Sequence, residues 1–253
     1  MLEILTDKYL SDYNVQTQSN WVLPDAQQSI LTTDTFSFYT SVSSVFSSKI
    51  EGEDIDLNSY LKHRFSQSPY LPDYTKKIDD LFYAYSFAKN NDLTLENLLQ
   101  AHQFISKNLL KSTHRGRIRT EIEYILNENG QIEYIAAPPN IVKSETEKLF
   151  NDIETLKNSD LTIQETFYYA SFIHLVFLKI HPFADGNGRS ARLLEKWFLA
   201  QELGQKAWFL PSEKYYYDNI KSYYKNIHIG LDYESLNYDR ILPFLLMLPQ
   251  CIL

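Results

Sequence analysis

TIQETFYYASFIHLVFLKIHPFADGNGRSARLLEKWFLAQELG, residues 162–204, decides the fold of this chain. Thr162 and Glu165 have the spacing of a capping box, in which each side chain meets the other's orphan backbone N–H at a helix start. The helix that follows runs to Ile180 and carries Ala170, Ile173, His174, Val176 and Phe177, a pattern that predicts near-complete burial. A second helix carries Leu193, Leu194, Trp197, Phe198 and Leu199 and stops at Gly204. Between the two lies HPFADGNGRSAR, His181 to Arg192. Gly186 and Gly188 permit backbone conformations closed to other residues and leave no side chain to block an incoming group. A loop entering a helix N-terminus presents unpaired N–H groups and the positive end of the helix dipole, which favours phosphate. Arg189 and Arg192 lie three apart on the first turns, where both can grip phosphate oxygens. Asp185 would repel phosphate there unless a divalent cation such as Mg²⁺ bridges them. His181 stands before the loop and is the side chain best suited to proton removal near neutral pH. A glycine pair alone reads as a turn, and a histidine at a helix end alone reads as structural. The ordered combination points instead to a nucleotide-phosphate site with its own base.

Outward from this stretch the chain reads as helical. Only 7 glycines and 9 prolines interrupt it, while 19 tyrosines and 15 phenylalanines supply packing groups for a helical core. Residues 1 to about 30, with Pro24, predict an irregular arm. Phe38, Val42, Val45, Phe46 and Ile50 recur at helical spacing from Asp34, and Gly52 ends that helix. Further helices are expected over Ile55–Phe65 and Tyr74–Asn90, with a two-proline loop between them. Another follows from a Thr94 cap through Leu98, Leu99, His102, Phe104 and Ile105 to Leu110. Thr120–Ile125, an Asn129-Gly130 turn and Ile132–Ala137 then predict a β-hairpin closed by Pro138-Pro139. Helices resume over Ser144–Lys157, from a Ser212 cap to about Ile227, and over Asp239–Leu248. The expected fold is an all-α bundle with one β-hairpin. It divides into an N-terminal helical region, residues 1–90, and a core with C-terminal helices, residues 91–253.

Composition excludes several functions. A net charge of −8 argues against nucleic acid as a partner, because neutralising its phosphates needs a basic face. The single cysteine, Cys251, provides no intramolecular disulfide and fits a reducing compartment. The N-terminal stretch lacks the long apolar segment of a signal peptide, and Ile241–Leu253 is too short and proline-broken to cross a bilayer. The expectation is therefore a cytoplasmic protein with no membrane partner.

HPFADGNGRSAR resembles the Fic family pattern H-x-F-x-[D/E]-G-N-G-R-x-x-R at every defined position. The resemblance implies a Fic-type bundle that transfers AMP from ATP to Ser, Thr or Tyr hydroxyls of a target protein, the chain itself among the candidates. His181 is then the general base, Phe183 the buried anchor of the loop, and Asp185 the ligand of Mg²⁺. Gly186, Asn187 and Gly188 cradle the phosphates, and Arg189 and Arg192 bind the β- and γ-phosphates. GRIRT, residues 116–120, and the hairpin are similar to the family's flap, which docks the target by strand addition through Glu123, Tyr124, Ile125 and Ile135. A plain structural ribbon is the other reading of that hairpin. Tyr216 and Tyr217 fall where the family places a tyrosine pair near adenine, with Asn226 as a further contact. Core packing is the competing reading of the tyrosines.

Ser47-Ser-Lys-Ile-Glu51-Gly52 fits the family's inhibitory pattern [S/T]-x-x-x-E-[G/N], ahead of the core, as in the class with an N-terminal inhibitory helix at about 34–52. Ser47 and Glu51, four apart, share a helix face. Glu51 is expected to pair with Arg192 in the space of the γ-phosphate; the same glutamate aids AMP removal in some relatives. The alternatives are a phosphoryl or phosphocholine transferase of the same fold, or a nucleotide-binding regulatory protein with little catalysis. A homodimer is compatible with either.

Overall fold

The structure, a computed structural model, describes residues 4–17, 21, 23, 34–66, 72–127 and 129–252. Among them α1 (Leu10–Gln16), α2 (Thr35–Ile50), α3 (Leu57–Ser66), α4 (Pro72–Lys89) and α5 (Leu95–Ile105) precede a hairpin of β1 (Tyr124–Leu126) and β2 (Ile132–Ile135). After it come α6 (Pro139–Lys157), α7 (Ile163–Ile180), α8 (Asn187–Leu203), α9 (Ser212–Asp218), α10 (Ile220–Ile227) and α11 (Leu242–Leu245). The all-α bundle with one hairpin is what the sequence predicts. None of the described helices is long and apolar enough to cross a membrane.

The core is organised around α7, which is buried without a break from Thr166 to Ile180. The capping box at its start is present, with Thr162 Oγ1 accepting the Glu165 N–H and Glu165 accepting the Thr162 N–H. α8 packs along α7 more extensively than any other pair of elements. α2 lies over α4 and α9, and its buried face is lined by Ser41, Ser43, Ser44, Ser47 and Ser48. Such small side chains let its backbone come close to the rest of the bundle. One hydrophobic cluster joins Phe36 of α2, Tyr85 of α4, Leu98 of α5 and Leu193 of α8, so residues on both sides of position 90 share a core.

Several boundaries differ from expectation for local reasons. The N-terminal arm contains α1, too short to show a period, with Tyr13 packed edge-on to Tyr168; Pro24 lies outside the described residues. The loop expected between α3 and α4 falls largely on residues 67–71, also outside them. α5 ends at Ile105 rather than Leu110, with Ser106 at its C-cap. α6 starts at Pro139, five residues ahead of the predicted Ser144, since proline fits the first helical position, where no N–H is needed. The tyrosine-rich helix breaks at Asn219 into α9 and α10, which turns Tyr216 and Tyr223 toward each other, rings 5.0 Å apart. Ser212 is the first residue of α9, and Pro211 precedes it. The last helix shrinks to α11 between short 3₁₀ turns. β1 begins at Tyr124, not Thr120, and a register shift separates Ile125 from Leu126.

The bundle also buries an ion pair. Lys196 of α8 donates to Glu213 of α9, to the Ser43 hydroxyl (2.7 Å) and to the Leu210 carbonyl (2.8 Å), while Tyr85 donates to Glu213 (2.6 Å). Both charged side chains are fully buried. Removing one partner strands the other charge, so Lys196→Met is expected to cost about 3–5 kcal/mol in urea unfolding. The double change Lys196→Met with Glu213→Leu should recover much of it. A single change no worse than the double one would contradict this.

Candidate active site

His181 is placed by the end of α7. It takes φ 54° and ψ 61°, the single non-glycine residue with positive φ among those described. Such a conformation costs about 1–3 kcal/mol and persists where neighbours enforce it. Arg119 is the enforcing neighbour. Its Nε donates to the His181 carbonyl (2.7 Å), and one terminal nitrogen donates to the carbonyls of Ala137 (2.6 Å) and Ile180 (3.2 Å). Its other terminal nitrogen donates to the Glu121 carbonyl (2.6 Å), and its backbone N–H to the Pro182 carbonyl (2.9 Å). One buried guanidinium therefore satisfies orphan carbonyls at the C-terminus of α7 and ties both ends of the hairpin to them. Sequence reading singled out GRIRT but not this role for Arg119, since no spacing rule announces a side chain that bonds backbone alone.

The His181 ring is ready to act as a base. Its Nδ1 lies 3.2 Å from the Leu178 carbonyl. A carbonyl can only accept, so that nitrogen carries the proton and Nε2 keeps its lone pair. Burial pushes the imidazole down to about 4, with Arg119 and Lys179 acting in the same direction and the Leu178 bond and Glu51 opposing. The ring is neutral at pH 7.

The loop after it is held from beneath by His102 of α5, which the sequence reading had placed only as a core position. The His102 ring stacks on Phe183, centroids 3.7 Å apart. Its Nδ1 accepts the Gly116 N–H (2.9 Å) and its Nε2 donates to the Asp185 carbonyl (2.9 Å). Burial pushes His102 down to about 4, so one neutral tautomer satisfies both bonds. Gly186 takes φ 80°, and a Cβ there would sit 3.2 Å from Ile105 and 3.4 Å from His102. The Asn187 amide bonds both the N–H (2.9 Å) and the carbonyl (2.7 Å) of Phe183, closing the loop on itself. Asn187 thus offers an anion its backbone N–H at the start of α8, while its side chain is spoken for. Asp185 is exposed beside it, with one carboxylate oxygen on the Gly186 N–H (2.6 Å).

The two arginines of α8 are buried and each meets a carboxylate. Arg192 donates from Nε to the Ser47 hydroxyl (2.8 Å) and from a terminal nitrogen to the Ser47 carbonyl (3.0 Å) and to Glu51 (2.6 Å). Its remaining terminal nitrogen donates to the Tyr223 hydroxyl (3.3 Å). Arg189 lies 3.5 Å from Glu53, which Lys77 also binds at 2.6 Å, and the Arg189 Nε has no partner among the described residues. Burial opposes ionisation of Glu51, yet the charges of Arg192 and Arg189 outweigh it and hold the carboxyl below the usual range. Gly52, at φ 86°, turns the chain as α2 ends and leaves Glu51 at its cap. Gly188 makes room, because a Cβ there would lie 2.3 Å from the Glu51 carboxylate.

Of the three residues expected at the adenine, one is enclosed in the core. Tyr216 is fully buried with its hydroxyl on Glu195 (2.8 Å), in a cluster with His174, Tyr223 and Phe244. Tyr217 is half-buried against Phe46 and beneath Lys49. Asn226 bonds the Pro243 carbonyl (3.2 Å). For Tyr216 the packing reading is therefore the one that holds. The tyrosines beside Arg192 and Glu51 are Tyr223 and Tyr224, the latter with its hydroxyl on the Ile50 carbonyl (2.9 Å).

The hairpin is also more specific than expected. Ile135 cannot offer its backbone to a docking strand, since its N–H bonds the Leu231 carbonyl (2.9 Å) and its carbonyl accepts the Tyr233 N–H (3.1 Å). Glu123, Tyr124 and Ile125 lie in or just before β1, which borders β2 on one side only. Glu123 is half-buried between Arg119 and Asp185, and burial with the Asp185 charge raises its carboxyl.

Fold and site together define a helical-bundle protein with two buried arginines near a helix start, each against a carboxylate, and a neutral histidine close to one of those carboxylates. Residues 92–199 match the sequence profile of the Fic/DOC family. The chain is 26% identical over 142 residues to protein adenylyltransferase fic-1 of Caenorhabditis briggsae and, to the same extent, of Caenorhabditis elegans. Those matches cover 56% of this chain but only 25% of either relative's length. A Fic family protein from Desulfovibrio desulfuricans superposes with TM-score 0.73 at 21% identity, covering 96% of this chain and 69% of that one. A Fic domain containing signaling protein from Bacteroides thetaiotaomicron gives 0.67 at 18%, covering 99% and 88%. At such identities the solved structures establish the fold.

Arg119→Lys replaces a fork with a point charge and leaves some of these carbonyls unpaired. It is expected to cost about 1–3 kcal/mol per carbonyl left without a donor. Hydrogen exchange should rise at the C-terminal turn of α7 and along residues 119–137. Unchanged exchange in both places would show that Arg119 does not fasten them.

Proposed function

We propose that this chain transfers AMP from ATP to a serine, threonine or tyrosine hydroxyl of a protein, and that Glu51 restrains the transfer. The observation that carries this reading is the Glu51–Arg192 pair: an internal carboxylate fills part of an anion site at a helix start, beside a neutral histidine. The adenylyltransferase name of the two Caenorhabditis relatives favours AMP over other groups.

In this reading the phosphates of ATP lie against the start of α8, where backbone N–H groups and the dipole favour them. Arg189 and Arg192 grip the terminal phosphates and offset charge that builds on the leaving group. His181 Nε2 takes the proton of the target hydroxyl. Its oxygen attacks the α-phosphorus, the bond between the α-phosphorus and the bridging oxygen breaks, and pyrophosphate departs. Asp185 suits a magnesium ion. Its carboxylate is exposed beside the start of α8, where substrate phosphates would supply further oxygen ligands. Bound there, the ion would lower the repulsion between Asp185 and the nucleotide.

Glu51 opposes this by holding the terminal nitrogen of Arg192 that would meet the γ-phosphate. Glu51→Gly should raise incorporation from α-labelled ATP by tenfold or more, each ~1.4 kcal/mol of lost restraint being worth a factor of ten. Labelling no stronger than that of the unmodified chain would refute the restraint. Adding His181→Ala to Glu51→Gly should abolish the signal, and γ-labelled ATP should give none.

The pH dependence follows from the histidine. A base whose pKa is pushed down to about 4 keeps its lone pair well below the ordinary imidazole value, so activity should fall only as pH drops through that lower range. The acid limb of the rate profile of Glu51→Gly is expected below pH ~6, against the ~6.5 of an ordinary imidazole. A limb at 6.5 or above would contradict the neutral state of His181.

A further inference from the structure

Glu51 and Glu53 flank Gly52 in the turn that ends α2, and each faces one arginine of α8. The turn is pinned, since the N–H groups of Glu51 and Glu53 both donate to the Ser48 carbonyl, at 3.1 Å each. The two carboxylates are nevertheless held differently. The Glu51 side chain has Arg192 as its one hydrogen-bond partner among the described residues, at 2.6 Å. Glu53 has two, and both use the same oxygen. Lys77 of α4 donates to its Oε1 at 2.6 Å, while Arg189 reaches that atom at 3.5 Å. Lys49, the other cation at this end of α2, donates to the Ile55 carbonyl and lies over Tyr217.

These distances decide which cation holds Glu53. A charge-assisted N–H···O bond is normally about 2.7–2.9 Å long, so the contact with Arg189 is at the outer limit of one. Glu53 is therefore the partner of Lys77, and it balances Arg189 from further off. Arg189 is buried, its Nε has no partner among the described residues, and its one side-chain bond is the long one. A guanidinium carries five N–H donors, so Arg189 has donors in reserve. Arg192, by contrast, directs its donors to Ser47, Glu51 and Tyr223. Lys77 makes the difference between the two arginines. With it, Glu53 keeps a partner when an anion approaches Arg189. Without it, Arg189 is the ion-pair partner that Glu53 has left.

We infer that Lys77 is a positioning residue of the proposed nucleotide site: it draws Glu53 off Arg189 and so keeps that arginine open to a phosphate. This rests on the part of the reading above that sets the phosphates of ATP against the two arginines, and it names a residue on which that binding depends. The turn after α2 then carries two carboxylates of opposite consequence. Glu51 closes onto Arg192, whereas Glu53 is kept from closing onto Arg189 by a lysine of α4, the helix that α2 lies over.

The test uses the full chain carrying Glu51→Gly, so that Arg192 is unrestrained, and a non-hydrolysable ATP analogue with magnesium. Binding is measured by calorimetry for this chain and with Lys77→Met, Lys77→Arg, Glu53→Gln, or Lys77→Met and Glu53→Gln together added to it. Lys77→Met is expected to weaken binding about fivefold, the scale of a half-exposed charge pair. Lys77→Arg should retain the affinity. With Glu53→Gln in place, Lys77→Met should weaken binding by about twofold or less, the effect of a distant, screened charge with no carboxylate to hold. A general loosening of α4 would weaken binding equally in both backgrounds. Equal weakening with and without Glu53, or no weakening in either, would overturn the inference and leave the transfer reading standing. An analogue bound by none of these chains would overturn the placement of the phosphates and the role of Lys77 with it. The expected pattern of affinities with no transfer of α-label to any hydroxyl would support the role of Lys77 and refute the transfer alone.

Discussion

Arg192 is a cation almost wholly removed from water, 1% exposed, and much of the candidate site is arranged to satisfy it. An unpaired buried charge is among the costliest features a fold can hold. Ser47 supplies a hydroxyl and a carbonyl, Tyr223 a hydroxyl, and Glu51 the one negative charge among its hydrogen-bond partners. The neutral partners fix where the guanidinium points, and the carboxylate balances it. In the proposed reading, taking Glu51 away keeps the geometry and loses the balance, which leaves a preformed site for another anion. In this account inhibition and substrate binding are two solutions to one electrostatic requirement, and α2 both blocks the site and builds it.

Behind Arg192 the polar chain continues inward. The Tyr223 hydroxyl meets His174 (3.0 Å), His174 meets Glu195 (2.7 Å), and Glu195 accepts from Tyr216 (2.8 Å). All are buried among aromatic rings, with one oxygen of Glu195 carrying both of its bonds and the other without a partner among the described residues. The network joins α7, α8, α9 and α10 behind the arginine that would face the phosphates in the proposed reading. On the other side of the loop, His102 and Arg119 perform the equivalent service for Phe183, Asp185 and His181. The residues of the candidate site are held from two sides, by the polar chain behind Arg192 and by His102 and Arg119.

The legible part of this architecture lies where one residue type is demanded by a local rule. The capping box at Thr162, the glycine stop at Gly204, the Asn129-Gly130 turn and the apolar run through α7 each announce their element, and the order of residues from His181 to Arg192 announces an anion site. The pairing of Glu51 with Arg192 was legible from the four-residue spacing of Ser47 and Glu51 together with the family resemblance. Arg119 and His102 escaped because their partners are backbone groups far away in sequence. Tyr216 was placed near adenine by position alone, whereas the break at Asn219 turns it into the core. Ile135 looked available in a hairpin read by itself, but residues 231–233 cover that edge, and no local pattern marks such a long-range contact.

The central claim is that a bound anion takes the place of Glu51 on Arg192. A crystal structure of Glu51→Gly with magnesium and a non-hydrolysable ATP analogue tests it most directly. The account predicts a terminal phosphate oxygen within hydrogen-bond distance of Arg192 and of the Arg189 Nε, with His181 Nε2 facing the α-phosphorus. Phosphates bound away from the start of α8, or an imidazole turned from them, would contradict it.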